Sequence, residues 1–207
     1  MILLLGSEGS MGRRYQAIMN YHGVNYVGLD QHNSLTSTVT KYAKEASGII
    51  LATPTGTHMA YLQLLMPFKT PILCEKPITK NMGDWDELID LYEDTRCPIR
   101  MMFQYSLLDS QANKGLTKYD FYNHGKDGLL WDCFQPIALA RGIVEIKETS
   151  PIWTGILNGK ELHSCEMDRA YVQYFKMWQK DPRQDLYSLR NMHEKVHNHG
   201  RLLDAGN

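Results

Sequence analysis

Lys76 stands in Glu75-Lys76-Pro77, directly after an apolar run, Pro71-Ile72-Leu73-Cys74, that reads as a buried strand. A lysine amine at a strand end can give or take the proton of a hydroxyl while the carbon beneath it changes oxidation state. Carbonyl–alcohol chemistry of that kind needs a hydride carrier alongside. The start of the chain has a matching feature. Gly6-Ser7-Glu8-Gly9-Ser10-Met11-Gly12 follows the apolar run Ile2–Leu5 and leads into a helix-like stretch. Glycines permit a tight turn and let backbone approach a pyrophosphate. A helix N-terminus then offers N–H groups and a positive dipole end. The spacing is GxxGxxG, one residue longer than the usual GxGxxG.

Asp30 ends the second strand-like run, about 20 residues beyond the turn, where a carboxylate accepts hydrogen bonds from ribose hydroxyls. Its charge repels a 2′-phosphate, which favours NAD. Arg13 and Arg14 are close enough in sequence to keep NADP open. Each signal has a plainer alternative. Lys76 alone is a solvated lysine, Asp30 alone a turn residue, and the glycines alone an ordinary strand-to-helix turn.

These groups need elements to hold them. The first hundred residues alternate strand-like and helix-like segments. Strands are expected at Ile2–Leu5, Asn25–Leu29, Gly48–Ala52, Ile72–Cys74 and Ile99–Phe103. Helices are expected at Met11–Tyr21, Lys41–Ala46, His58–Met66 and Asp84–Tyr92. Such alternation implies a parallel sheet with helices on both faces. Past residue 104 the texture changes to polar loops and a helix-like stretch at Leu129–Leu139. Strands follow at Ile143–Thr149, Ile152–Leu157 and Glu161–Ser164, the last two joined by the hairpin signal Asn158-Gly159. Amphipathic helices at Asp168–Gln179 and Leu186–Leu203 finish the chain, implying an α+β part whose sheet is antiparallel.

Composition narrows the class. The 207 residues are 43% hydrophobic and 22% charged, with net charge −1. That is ordinary for a globular protein and gives no field to attract nucleic acid or an anionic membrane. No apolar run approaches the roughly 20 residues of a membrane span. Cys74, Cys97, Cys133 and Cys165 lack CxxC spacing, so reduced thiols in a cytoplasmic protein are expected. His193-Glu194-Lys195-Val196-His197 matches HExxH, a zinc-hydrolase pattern. His199 and Asp204 fall at the wrong spacing for a third ligand, so a solvated surface helix and no metal are expected.

Ile2–Arg14, Asp30, Ile50–His58 and Leu73–Pro77, in that order, resemble the Gfo/Idh/MocA family of nicotinamide-dependent oxidoreductases over the first half of the chain. The resemblance implies an α/β fold: a Rossmann dinucleotide-binding domain, residues 1–103, followed by a reduced α+β domain, residues 104–207. It implies that Gly6, Ser7, Gly9, Ser10, Met11, Gly12 and Asp30 bind the cofactor. Thr53, Pro54 and Thr55 would line its nicotinamide-side edge, with His58 just behind. Glu75 would sit near the nicotinamide ribose, and Lys76 would face the substrate hydroxyl. The bond before Pro77 is commonly cis in such proteins.

Gly128–Gln135 resembles the family's second catalytic segment, in which an aspartate precedes a proton-moving histidine. Here Asp132 stands, but Gln135 or Pro136 occupies the histidine's place. Glutamine can position a substrate but cannot shuttle a proton. His124 is the nearest histidine before it. The expectation is an NAD-dependent oxidoreductase for a sugar, nucleotide sugar or cyclitol, with Lys76, Asp132 and Gln135 in the reaction and two copies paired through the second sheet. The alternative is a non-catalytic NAD-binding regulator of the same descent.

Overall fold

The computed structural model describes residues 1–33, 35–107, 117–121, 134–139, 144–148, 154–157, 160–162 and 164–205. They form two compact units: Met1–Met102 with Met177–Tyr187, and Phe103–Lys176 with Ser188–Asn207.

The first unit is a five-stranded sheet in the order β2-β1-β3-β4-β5, with every pair parallel. The strands are β1 (Ile2–Leu5), β2 (Tyr26–Leu29), β3 (Gly48–Leu51), β4 (Ile72–Cys74) and β5 (Ile99–Met101). β1, β3 and β4 are buried along their whole length. Parallel strands covered on both faces must be apolar throughout, and these are. The helices are α1 (Ser10–Tyr21), α2 (Thr36–Glu45), α3 (His58–Leu65) and α4 (Gly83–Thr95). Tyr15, Ile18 and Met19 of α1, Leu62 and Leu65 of α3, and Trp85 and Leu88 of α4 are buried in the core.

α2 begins at Thr36, well before the expected Lys41. Threonine- and serine-rich Thr36–Thr40 has little helix preference, and burial of Val39 and Ala43 supplies what propensity does not. The segment Met177–Tyr187 also belongs to this unit. Gln184 N–H donates to the Ile99 carbonyl (3.1 Å), and its side-chain oxygen accepts from Met101 N–H (3.0 Å). Both bonds cap the open edge of β5. Arg100 donates to Asp181 Oδ2 (3.2 Å) and to the Arg183 carbonyl (2.6 Å). Trp178 packs where Gly48 has no side chain.

The second unit holds a four-stranded sheet in the order β7-β6-β8-β9: β6 (Thr117–Phe121), β7 (Val144–Glu148), β8 (Thr154–Leu157) and β9 (Lys160–Leu162). β6 lies in a stretch that reads as polar loop. β6 and β7 are parallel while the other pairs are antiparallel, so the sheet is mixed and not the expected antiparallel one. The β8–β9 pairing, with Leu157 opposite Lys160, agrees with a hairpin, although Asn158-Gly159 lies outside the described residues. Helices α5 (Phe134–Leu139), α6 (Ser164–Lys180) and α7 (Leu186–Ala205) complete the chain.

Candidate functional site

The register of the first sheet sets the site. Leu5 pairs with both Leu29 and Leu51, Leu51 with Cys74, and Cys74 with Met101. The next residue of each strand is therefore in line along the carboxyl edge: Asp30, Gly6, Ala52, Glu75 and Met102. With strands about 4.8 Å apart, Asp30 and Glu75 are about 14 Å from one another along that row. The strand order reverses at β1, so the crevice of this α/β sheet opens there.

Gly6 has φ +82°, and a Cβ there would lie 2.5 Å from the Ala52 carbonyl oxygen. At Gly12 a Cβ would overlap the Gly6 carbonyl oxygen and stand 2.6 Å from that of Ser7. Glycine at both ends of the turn lets α1 start tight against it. A Cβ at Gly9 would only touch the Gly6 oxygen, at 3.4 Å. The helix has no side-chain cap and no acidic residue in its first turn. A helix N-terminus of that kind favours an anion. Asp30 is fixed by its surroundings: Oδ2 accepts from Glu8 N–H (2.9 Å) and Oδ1 from Gln31 N–H (2.8 Å). The buried Ser7 sits inside the turn, where its carbonyl accepts from Gln16 Nε2 (2.6 Å).

The loop after β3 carries Thr53, Pro54 and Thr55. Thr55 is buried, Pro54 is exposed, and the Thr57 hydroxyl lies 2.8 Å from the Pro54 carbonyl and 2.9 Å from the Thr53 hydroxyl. His58 starts α3, fully buried, with both ring nitrogens turned to main-chain carbonyls.

The loop after β4 carries Glu75 and Lys76, and the Lys76–Pro77 bond is cis. Lys76 is half-buried and Glu75 is 6% exposed. Glu75 Oε1 accepts from the Tyr15 hydroxyl at 2.8 Å, and Oε2 lies 3.3 Å from Lys76 N–H. Burial pushes the Glu75 carboxyl up from its usual range, against the Tyr15 bond, the Lys76 charge and amide, and Arg14. Desolvation, with the Glu75 charge adding, raises the neighbouring Cys74 thiol well above its ordinary value.

Tyr15, Gln16 and Tyr26 are the polar partners that sequence reasoning missed. Tyr26 donates to Gln16 Oε1 (3.2 Å), which braces the turn from β2. An aromatic on the buried face of α1 reads as core, and nothing in its spacing reveals a carboxyl acceptor sixty residues on.

In the second unit Gln135 is 2% exposed, and its Nε2 donates to Gln104 Oε1 at 2.7 Å. Phe134 packs edge-on to Phe103 and tilted against His193. Asp132 and His124 lie outside the described residues. The helix carrying HExxH is solvated on one face only. His193 and Val196 are buried, while Glu194 and Lys195 are exposed. No group of three or more potential metal ligands occurs among the described residues. No helix there is long and apolar enough to cross a membrane.

Residues 5–103 match the family model for an oxidoreductase family with an NAD-binding Rossmann fold. No curated protein is similar enough in sequence to count as a relative. Solved structures share the fold beyond residue 103. The WlbA (WbpB) dehydrogenase from Thermus thermophilus, solved with NAD and UDP-GlcNAcA, superposes with TM-score 0.69 at 12% identity, over 94% of this chain and 92% of that one. A myo-inositol dehydrogenase from Corynebacterium glutamicum gives TM-score 0.63 at 12% identity, over 95% and 94%. A UDP-N-acetylglucosamine 3-dehydrogenase from Acidithiobacillus ferrooxidans gives 0.64 at 10%, over 95% of each. Residues 5–103 of this chain are therefore an NAD-binding Rossmann domain of the Gfo/Idh/MocA oxidoreductase family.

Proposed function

We propose that this protein is an NAD-dependent dehydrogenase or reductase acting on a small polyhydroxylated compound: a sugar, a nucleotide sugar or a cyclitol. The observation that carries the reading is the single row at the carboxyl edge, where the glycine turn, Asp30, the Thr53 loop and Glu75-Lys76 follow register-matched strand ends. The closeness of Gly6 and Gly12 to neighbouring carbonyls and the uncapped α1 fit a pyrophosphate at the turn. Asp30 would take the adenosine ribose, and Thr53, Pro54, Thr55 and Glu75 the nicotinamide end.

The bound nicotinamide supplies or accepts a hydride. Lys76 moves the hydroxyl proton at its Nζ. Glu75, held by Tyr15, orients the ribose beside it. Asp132 would help position the substrate. The folds shared with proteins solved or named for UDP-sugars and myo-inositol support the substrate class. A dimer paired through the second sheet and a cytoplasmic location belong to the same reading.

A non-catalytic NAD-binding regulator is the second reading. Burial of Gln135 against Gln104, in the place of a proton-moving histidine, favours it. The first experiment titrates the protein with NADH and then NADPH, following tryptophan quenching and nicotinamide emission. Saturable, NADH-preferring binding is expected, and binding of neither cofactor refutes both readings. Screening UDP-sugars and inositols for NAD reduction then separates them. Lys76→Ala is expected to keep NADH binding and lose turnover at least a hundredfold.

A further inference from the structure

His58 makes an unusual set of contacts for a buried ring. Nδ1 lies 3.0 Å from the Pro77 carbonyl oxygen and 3.1 Å from that of Ile78, and Nε2 lies 2.9 Å from that of Thr53. Cys74 Sγ is 3.5 Å from Nδ1. No part of the ring reaches solvent. The three carbonyls come from the loops that follow β3 and β4. One carries Thr53–Thr55 and the other carries Lys76.

A carbonyl oxygen only accepts, so every bond here uses a ring N–H. One protonated nitrogen ties the ring to one loop, and two tie both. The sheet itself stops guiding these loops at the Glu75 N–H to Leu51 carbonyl bond (2.9 Å). Beyond that bond, the His58 side chain bridges the two loops. Lys76 directly precedes the gripped Pro77. Its other flank, Glu75, is held by Tyr15.

Resting on the cofactor reading above, we infer that His58 is a positioning residue for Lys76. Fixed at the start of α3, directly after the Thr53 loop, its ring grips Pro77 and Ile78 through Nδ1–H and sets where the lysine amine stands against the nicotinamide edge. Displacements of about 1 Å at a reacting group are enough to cost rate, so a fixed loop matters there.

Three variants separate this role from space-filling. His58→Asn keeps a donor where Nδ1 is, His58→Gln keeps one where Nε2 is, and His58→Leu fills the volume with neither. Each full-length variant is titrated with NADH by nicotinamide fluorescence. Lysines are then reductively methylated with ¹³C, and the Lys76 signal, assigned with Lys76→Arg, is followed by NMR with and without NADH.

In the wild type a single sharp Lys76 signal that moves on NADH saturation is expected. His58→Leu should bind NADH with an affinity change of about threefold or less, yet lose at least half of that movement and broaden. His58→Asn should retain most of the movement, and His58→Gln should follow His58→Leu. If His58→Leu does not fold, the Asn and Gln variants decide. An unchanged Lys76 signal in a His58→Leu protein that binds NADH overturns the inference and leaves the cofactor reading standing. Equal signals from Asn and Gln overturn it too. Wild-type protein that binds no NADH overturns the cofactor reading, and this inference with it.

Discussion

Tyr15→Phe removes one oxygen from a buried site, and its consequence is pH-dependent in a way the structure fixes. The hydroxyl donates to Glu75 Oε1 at 2.8 Å, with Tyr15 fully buried and Glu75 nearly so. A hydrogen bond to a charged group contributes about 1.5–3 kcal/mol, one between neutral groups about 0.5–1.5. Burial raises the Glu75 carboxyl above 4.5 in the folded protein. The folded state therefore holds a proton that the unfolded state has released, and stability falls as pH rises from about 4.5 through the folded value. Phenylalanine takes away a contribution that lowers that value, so the variant's window extends to higher pH. The loss should be about 0.5–1.5 kcal/mol near pH 4, where the folded carboxyl is protonated, and about 1.5–3 kcal/mol at a pH above its folded value, where the wild type holds carboxylate. Urea unfolding followed by the buried Trp85 and Trp178 measures it. With a slope of about 2 kcal/mol/M the midpoint falls by about 1 M at that higher pH. In a Glu75→Gln background the tyrosine deletion should cost only the smaller, pH-independent amount. A loss equal at both pH values, or one undiminished by Glu75→Gln, refutes the reasoning.

Gly12→Ala places a methyl into two backbone carbonyls, so the turn and α1 must separate. NADH affinity should fall at least about tenfold, while Gly9→Ala, with a 3.4 Å contact, should leave it near wild type. Fluorescence titration checks both, and equal behaviour would refute the close-approach argument. Asp30→Ala should weaken NADH about tenfold and narrow its advantage over NADPH, because the ribose acceptor and the charge that repels a 2′-phosphate go together. It also frees the Glu8 amide from its 2.9 Å bond. Burial raises the Cys97 thiol to about 12 and the Cys74 thiol well above 9. Unfolded thiols ionise near 9, so stability should fall by about 1.4 kcal/mol per pH unit for each thiol above that pH. Chemical denaturation between pH 8.5 and 10.5 compares wild type with Cys97→Ala, whose slope should be shallower.

Local chemistry made the first unit legible. Ile2–Leu5, Gly48–Leu51 and Ile72–Cys74 are apolar without alternation, a pattern that suits a strand covered on both faces. Glycines, Asp30 and Glu75-Lys76 directly after such runs place themselves at strand ends without knowledge of any contact. Polar Thr117–Phe121 held no such pattern, and it became a strand by pairing with β7 and β8. The HExxH spacing describes one helix face, and whether that face meets water or Phe134 depends on what packs over it.

By itself the sequence determined the α/β character of the first half, the turn, the acidic residue after β2 and the lysine after β4. These follow from backbone permissiveness, apolar runs and charge, all carried by neighbouring residues. Only the tertiary structure decided that Leu5, Leu29, Leu51 and Cys74 share one row, that Tyr15 finds Glu75, and that His58 bridges the loops after β3 and β4. Register and long-range polar partnership depend on which surfaces are buried together, and that information is spread over the whole chain.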